Sequence, residues 1–164
     1  MSFPILTFLT FFPLVGVIYI LLRRGTDEVV ERSSKNISIL VSLVNFIVSL
    51  FLWSKFDTTN PGFQFVEESA WIKNFVSYKM GVDGVSIFLV LLTTFISPLC
   101  IFAAINSLKK RIKEFLIAIL IMQTFMIGVF CALDLFLFFL FFEGGLIPMF
   151  LIIGIWGGER RVYS

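Results

Sequence analysis

Glu143 is the residue of this sequence best placed to do chemistry. It lies in the apolar run from Leu135 to Trp156, eight residues beyond the start of that run, which at 1.5 Å per helical residue is about 12 Å into a hydrocarbon layer. A charged side chain facing lipid near that depth costs roughly 2.5–3.5 kcal/mol on insertion scales, so this one must face protein or water. Its neighbours at helical spacing, Phe139, Leu140, Leu146 and Ile147, cannot compensate a charge, and the partner has to come from another helix. Burial raises the pKa of a carboxyl and a nearby cation lowers it; the balance of the two lets such a group exchange a proton near neutral pH. A protonated glutamic acid joining two helices by a hydrogen bond is the competing reading.

The residues that follow add to the case. Gly144, Gly145 and Pro148 stand in the middle of the same run. Pro148 has no N–H to give the Gly144 carbonyl, and the freed carbonyl can bend the helix and bind water or a polar neighbour. Irregular backbone at this depth is tolerated only beside protein or a wet cavity, and glycines also permit close helix packing. In the preceding run Gln123 and Thr124 form a polar pair, with Gln123 able to contact Glu143, to contact a water file, or to serve as interhelical glue. Asp134, before the last run, and Asp83 or Ser86, before the third, read as helix caps.

Much else is excluded. The 164 residues are 59% hydrophobic and 15% charged, with a mean hydropathy of +1.01 and 22 phenylalanines, more apolar surface than a soluble domain of this size can hide. There is no histidine, which removes histidine triads and histidine-ligated metal or haem. Cys100 and Cys131 lie within apolar runs and form no CxxC. A net charge of +2, with the basic residues in short connections, gives no nucleic-acid surface.

Five runs are long enough, or nearly so, to cross a bilayer: Phe3 to Leu22, Asn36 to Trp53, Val85 to Ile105, Phe115 to Leu133, and Leu135 to Trp156. The expected class is therefore an all-α integral membrane protein. Arg23 and Arg24 follow the first run and Pro4 and Pro13 interrupt it, against the order of a cleaved signal peptide. Residues 1–53 hold the first two spans, 54–84 an external loop, and 85–164 spans three to five. The connections after spans one and three and the tail carry ten lysines and arginines against three on the other side; the positive-inside rule then places the N-terminus outside and the C-terminus on the matrix or cytoplasmic side. Within the loop, Asn60-Pro61-Gly62 signals a turn and Phe63-Gln64-Phe65-Val66 could begin a strand or hairpin. Its aromatic residues suit a membrane surface or a neighbouring subunit.

The stretch Leu135-Phe-Leu-Phe-Phe-Leu-Phe-Phe-Glu143-Gly-Gly-Leu-Ile-Pro148, continuing to Trp156-Gly-Gly and preceded by Met126-Ile-Gly-Val-Phe-Cys-Ala-Leu-Asp134, closely resembles the antiporter-like M subunit family of respiratory complex I, subunit 4 in mitochondria. Phe63-Gln-Phe-Val-Glu67, Met80-Gly-Val-Asp-Gly84 and Leu89-Val-Leu-Leu-Thr-Thr look like the same family. The resemblance implies about fourteen helices with two inverted repeats, each a proton half-channel, in keeping with transporter architecture generally. It implies that Glu143 is the fifth-helix glutamate, paired with a lysine on a seventh helix that these residues do not include. That gap is read as a split subunit completed by a second polypeptide, or as a truncated product. The resemblance also implies neighbouring membrane-arm subunits and lipids as partners. NADH, FMN, iron–sulfur clusters and quinone would be held on other subunits and no cofactor or metal on this chain. The membrane would be the mitochondrial inner membrane or a bacterial plasma membrane. Gln123 stands where many relatives align a glutamate, and Gly145 where a larger residue is usual. A subunit of a related cation/proton antiporter complex and a membrane scaffold or assembly protein are the alternative functions.

Overall fold

Hydrocarbon offers no partner to a backbone N–H, so an apolar run that crosses it satisfies its peptide groups within itself, as helix. The computed structural model describes residues 4–22, 27–56, 62–72, 76–107 and 112–156. Five helices form there: α1 (Ile5–Leu22), α2 (Asp27–Ser54), α3 (Ser86–Ser107), α4 (Ile112–Cys131) and α5 (Leu135–Trp156). All five are long and apolar enough to span a membrane. Between α2 and α3 lies an antiparallel hairpin, β1 (Gln64–Ile72) and β2 (Val76–Val82). Most of the basic connections, Asn60, Pro61 and the stretch Arg160 to Tyr163 fall outside the described residues.

The helix bounds follow the hydropathy closely except at α2. That helix begins at Asp27, nine residues before the expected Asn36, because the hydropathic signal marks only the part that needs lipid. Its first turns are polar and carry a Glu31–Lys35 ion pair of 3.3 Å at the favourable four-residue spacing. The caps form as their residue types suggest. Asp83 Oδ1 accepts from the Ser86 amide (2.8 Å) while Ser86 Oγ accepts from the Asp83 amide (2.9 Å), and Asp134 Oδ1 accepts from Phe136 and Leu137 at the head of α5. The Ser86 amide, above all, holds the Asp83 carboxyl below its ordinary value.

α1 and α3 each pack against both α2 and α4, and α5 lies on the far side of α4. The buried apolar residues form two separate clusters. One, at the hairpin end, joins Leu6, Leu9, Leu52, Met80, Ile127 and Phe141 among others. The second, at the opposite end, includes Val17, Val41, Ile101 and Leu120. In every one of the four bundled helices the residues between these clusters include buried polar side chains: Thr10 on α1, Ser42, Asn45 and Ser49 on α2, Thr93, Thr94 and Ser97 on α3, and Gln123 and Thr124 on α4.

The hairpin is tied to the helix ends. The Glu67 carboxylate accepts from the backbone amides of Leu6 (2.7 Å) and Thr7 (3.1 Å) and from the Thr7 hydroxyl, which also meets the Tyr78 hydroxyl at 2.7 Å. Burial pushes the Tyr78 phenol above its ordinary value, so it remains a donor. Two otherwise orphaned amides at the positive end of α1 thus receive a negative charge. A break in register between Gln64 and Glu67, with Phe65 at φ 58°, shows the local backbone distortion that a bulge uses to re-aim a side chain. On the other strand the Lys79 carbonyl accepts from Leu133 just past α4 (2.8 Å).

Two outcomes test this fold. Glu67→Gln should cost α1 about 1–2 kcal/mol of local stability, seen as roughly 5- to 30-fold faster hydrogen exchange at the Leu6 and Thr7 amides. A Cβ on Gly128 would lie 2.5 Å from the Phe141 ring, whereas one on Gly154 meets nothing within 4 Å. Gly128→Ala should therefore cost about 1–3 kcal/mol through overpacking and lower the amount of assembled protein in native gels, with Gly154→Ala unchanged.

Candidate functional site

Where Glu143 points is decided by the α4–α5 contact. Gly128 of α4 faces the ring of Phe141 on α5, and Gly144 of α5 faces the ring of Phe125 on α4, where a Cβ would lie 2.5 Å from Phe125 Cε1. The two rings also meet edge to face, 6.3 Å apart at 64°. Each helix offers a glycine to the other's phenylalanine, and close approach of this kind is what small residues supply at membrane helix contacts. The pairing fixes the rotation of α5. Glu143 is one residue, about 100° of helical turn, from the glycine that touches α4, and its side chain is exposed on the outer surface of α5.

That surface is the least covered in the structure. Only 17% of the α5 span is buried, against 33–44% of the other four. Phe139, Phe142, Leu146, Ile147 and Phe150 are exposed around Glu143. Glu143 has no hydrogen-bond or ion-pair partner among the described residues. The expected need for a partner from another helix is thus met by none of the four helices present.

Gly144 and Pro148 line a groove of about 240 Å³ between α4 and α5, together with Phe125, Ile147, Leu151 and, at the head of α4, Glu114. Pro148 is buried and α5 runs through it as continuous helix; the Gly144 carbonyl lacks only the one donor that proline cannot provide.

Gln123 is elsewhere. It is 2% exposed and lines a cleft between α3 and α4 with Thr93 and Ser97. Phe125, two residues or about 200° away around the helix, is among the α4 residues that meet α5. The structure therefore does not bring Gln123 and Glu143 together, although the Gly144–Phe125 contact puts them at similar depth.

Two groups of functional interest escape a reading of hydropathy and isolated charges. Glu67 caps a helix 60 residues earlier in the sequence, and no local pattern announces such a partner. Ser34, Ser38, Ser42, Asn45 and Ser49 are fully buried along α2; their recurrence every three or four positions was a legible sign of one polar stripe. Among the described residues no cluster of three or more His, Cys, Asp or Glu could hold a metal.

Residues 26–129 match the family described as NADH-ubiquinone oxidoreductase chain 4, amino terminus; the match ends before α5. NADH-quinone oxidoreductase subunit M of Rhodobacter capsulatus is 50% identical over 161 residues, covering 98% of this chain and 31% of that protein. NADH-ubiquinone oxidoreductase chain 4 of Mycosarcoma maydis is 43% identical over 154 residues, 94% of this chain and 32% of that one. A chain of respiratory complex I from Thermus thermophilus with bound NADH superposes with a TM-score of 0.75 at 25% identity, over 96% of this chain and 30% of its own length. The sequence spans about a third of the length of these relatives. A multi-pass helical membrane chain with this likeness across nearly its whole length belongs to the NADH-quinone oxidoreductase subunit M (chain 4) family.

Proposed function

We propose that this chain is the first part of a proton-translocating subunit in the membrane arm of an NADH:quinone oxidoreductase, and that Glu143 is its proton-carrying group. The observation that carries this reading is an acid at mid-bilayer depth on the uncovered face of α5, without a partner among the described residues. Such a face is completed by another membrane helix, and a carboxylate on it selects one that brings a cation. A lysine is the natural choice, on a helix outside this sequence. Neighbouring membrane-arm subunits and lipid would cover the rest of that face.

The chemistry needs only Glu143 and its surroundings. With the lysine close, the carboxylate pairs with it; as the lysine withdraws, the carboxylate accepts a proton from water or a neighbouring donor, and on the return of the cation it passes that proton to the next acceptor on the path. Gly144 keeps α5 against α4, so that this exchange occurs at a fixed depth, and Pro148 leaves the Gly144 carbonyl as an acceptor one residue from the acid. Redox chemistry, with NADH, FMN, iron–sulfur clusters and quinone, belongs to other subunits in this reading and takes no step through these residues.

Glu143→Gln keeps the shape and removes the proton site. In the intact complex it should lower proton pumping by about tenfold or more while assembly persists. Normal pumping in that variant overturns the proton-relay role, and a reduced amount of assembled complex in Glu143→Ala, with normal pumping per complex that does assemble, shows glue instead. Flavin and iron–sulfur absorbance should co-purify with this chain; their absence from an otherwise intact complex points to a cation/proton antiporter assembly.

A further inference from the structure

The acid of α5 has a ring on the far side of the helix from it. Phe141 lies two residues before Glu143, about 200° around the helix, so whatever holds the Phe141 ring inward keeps Glu143 outward. The ring is 6% exposed and rests on Gly128 of α4. A glycine lets a ring approach closely but has no side chain to stop it sliding. Lateral support has to come from other rings, and two supply it. Phe125 of α4 stands at 6.3 Å between centroids, and Phe11 of α1 at 6.3 Å with a tilt of 49°.

The Phe11 contact comes from an unexpected helix. α1 and α5 each pack along α4 and hardly along each other. Yet Phe11 and Phe141 stand equally far into their helices, counted from Ile5 and Leu135 at the hairpin end, about 9 Å at 1.5 Å per residue, and so meet at one level. Phe11 is 38% exposed, too open to be fixed by burial alone. Its second ring partner is Tyr78 on β2, 6.5 Å away at 30°. Both separations lie within the span of about 4.5–7 Å over which aromatic rings attract. Tyr78 is itself anchored, because its hydroxyl meets that of Thr7 at 2.7 Å, one turn before Phe11 on α1, and Thr7 donates to the Glu67 carboxylate. Tyr78, Phe11, Phe141 and Phe125 thus form one run of rings from the hairpin to α4, and it crosses α5 at the residue that faces away from the acid.

We propose that Phe11 is a positioning residue for Glu143: with Tyr78 it braces the Phe141 ring on Gly128 and so fixes the direction in which α5 presents its acid. The α4 glycines select the face of α5 that lies inward, and the α1 ring keeps that face from rolling. The functional weight of the contact rests on Glu143 being the proton carrier; the direction of its side chain does not. Through Tyr78, a hairpin at the end of the bundle bears on a carboxylate about 12 Å along α5.

The test is a pair of measurements on the intact complex carrying Phe11→Ala: a cryo-EM map, and proton pumping per assembled complex. In the map the Phe141 ring should leave Gly128 and the Glu143 side chain should turn with α5. Pumping per complex should fall by about two- to tenfold. Phe11→Leu, which restores most of the bulk, should return both towards the wild type. Phe141 and Glu143 unmoved in Phe11→Ala overturn the proposal, whatever the pumping. Glu143 turned with pumping unchanged upholds the positioning role and removes the proton-carrying reading instead. Should Phe11→Ala fail to assemble, Phe11→Val makes a smaller cut at the same contact and is read by the same two criteria.

Discussion

In hydrocarbon a polar group that is not bonded to protein is bonded to almost nothing, and the whole architecture answers to that constraint. Backbone groups answer by forming helices. Hydroxyls answer by bonding back to a carbonyl three or four residues earlier, as Ser34, Thr93 and Ser97 do. Helix ends answer through carboxylates at the interface, with Asp83, Asp134 and Glu67 each receiving amides that the helix leaves over. Glu143 is the one acid of α5, and its answer has to lie beyond that helix and its neighbour α4.

Rotation of α5 decides which way its one acid faces. A span made almost wholly of Phe, Leu and Ile has no polar face to orient it, so hydropathy is silent about which way its acid looks. The reciprocal glycine and phenylalanine pairs supply the missing orientation. They also separate two polar regions of similar depth, one on the outer face of α5 and one inside the bundle, which a view of the sequence alone would merge.

This explains what was legible and what was not. Lengths of apolar runs placed four of the five helices to within three residues at either end, since the solvent that selects them is uniform. The early start of α2 was hidden because its first turns, around Glu31 and Lys35, are stabilised outside hydrocarbon. Phe63 to Val66 suggested the start of a strand or hairpin, and β1 does begin at Gln64 and pair with β2 as an antiparallel hairpin. Depth identified Glu143, but not its direction, and Gln123 could be recognised as buried without showing that it faces α3. Those are properties of helix rotation, which a stripe of glycines and aromatics encodes only once the partner helix is known.

The carboxylate that caps α1 has a consequence in time. Leu6 and Thr7 are made some 60 residues before Glu67, and at translation speeds of roughly 5–20 residues per second that is an interval of about 3–12 s. Throughout it the leading turn of the first helix has its amides uncapped by this acid. α2 must return the chain across the membrane before the hairpin can close on that end. The first helix is therefore finished late, and the loop that completes it certifies that two crossings have already been made in the right sense.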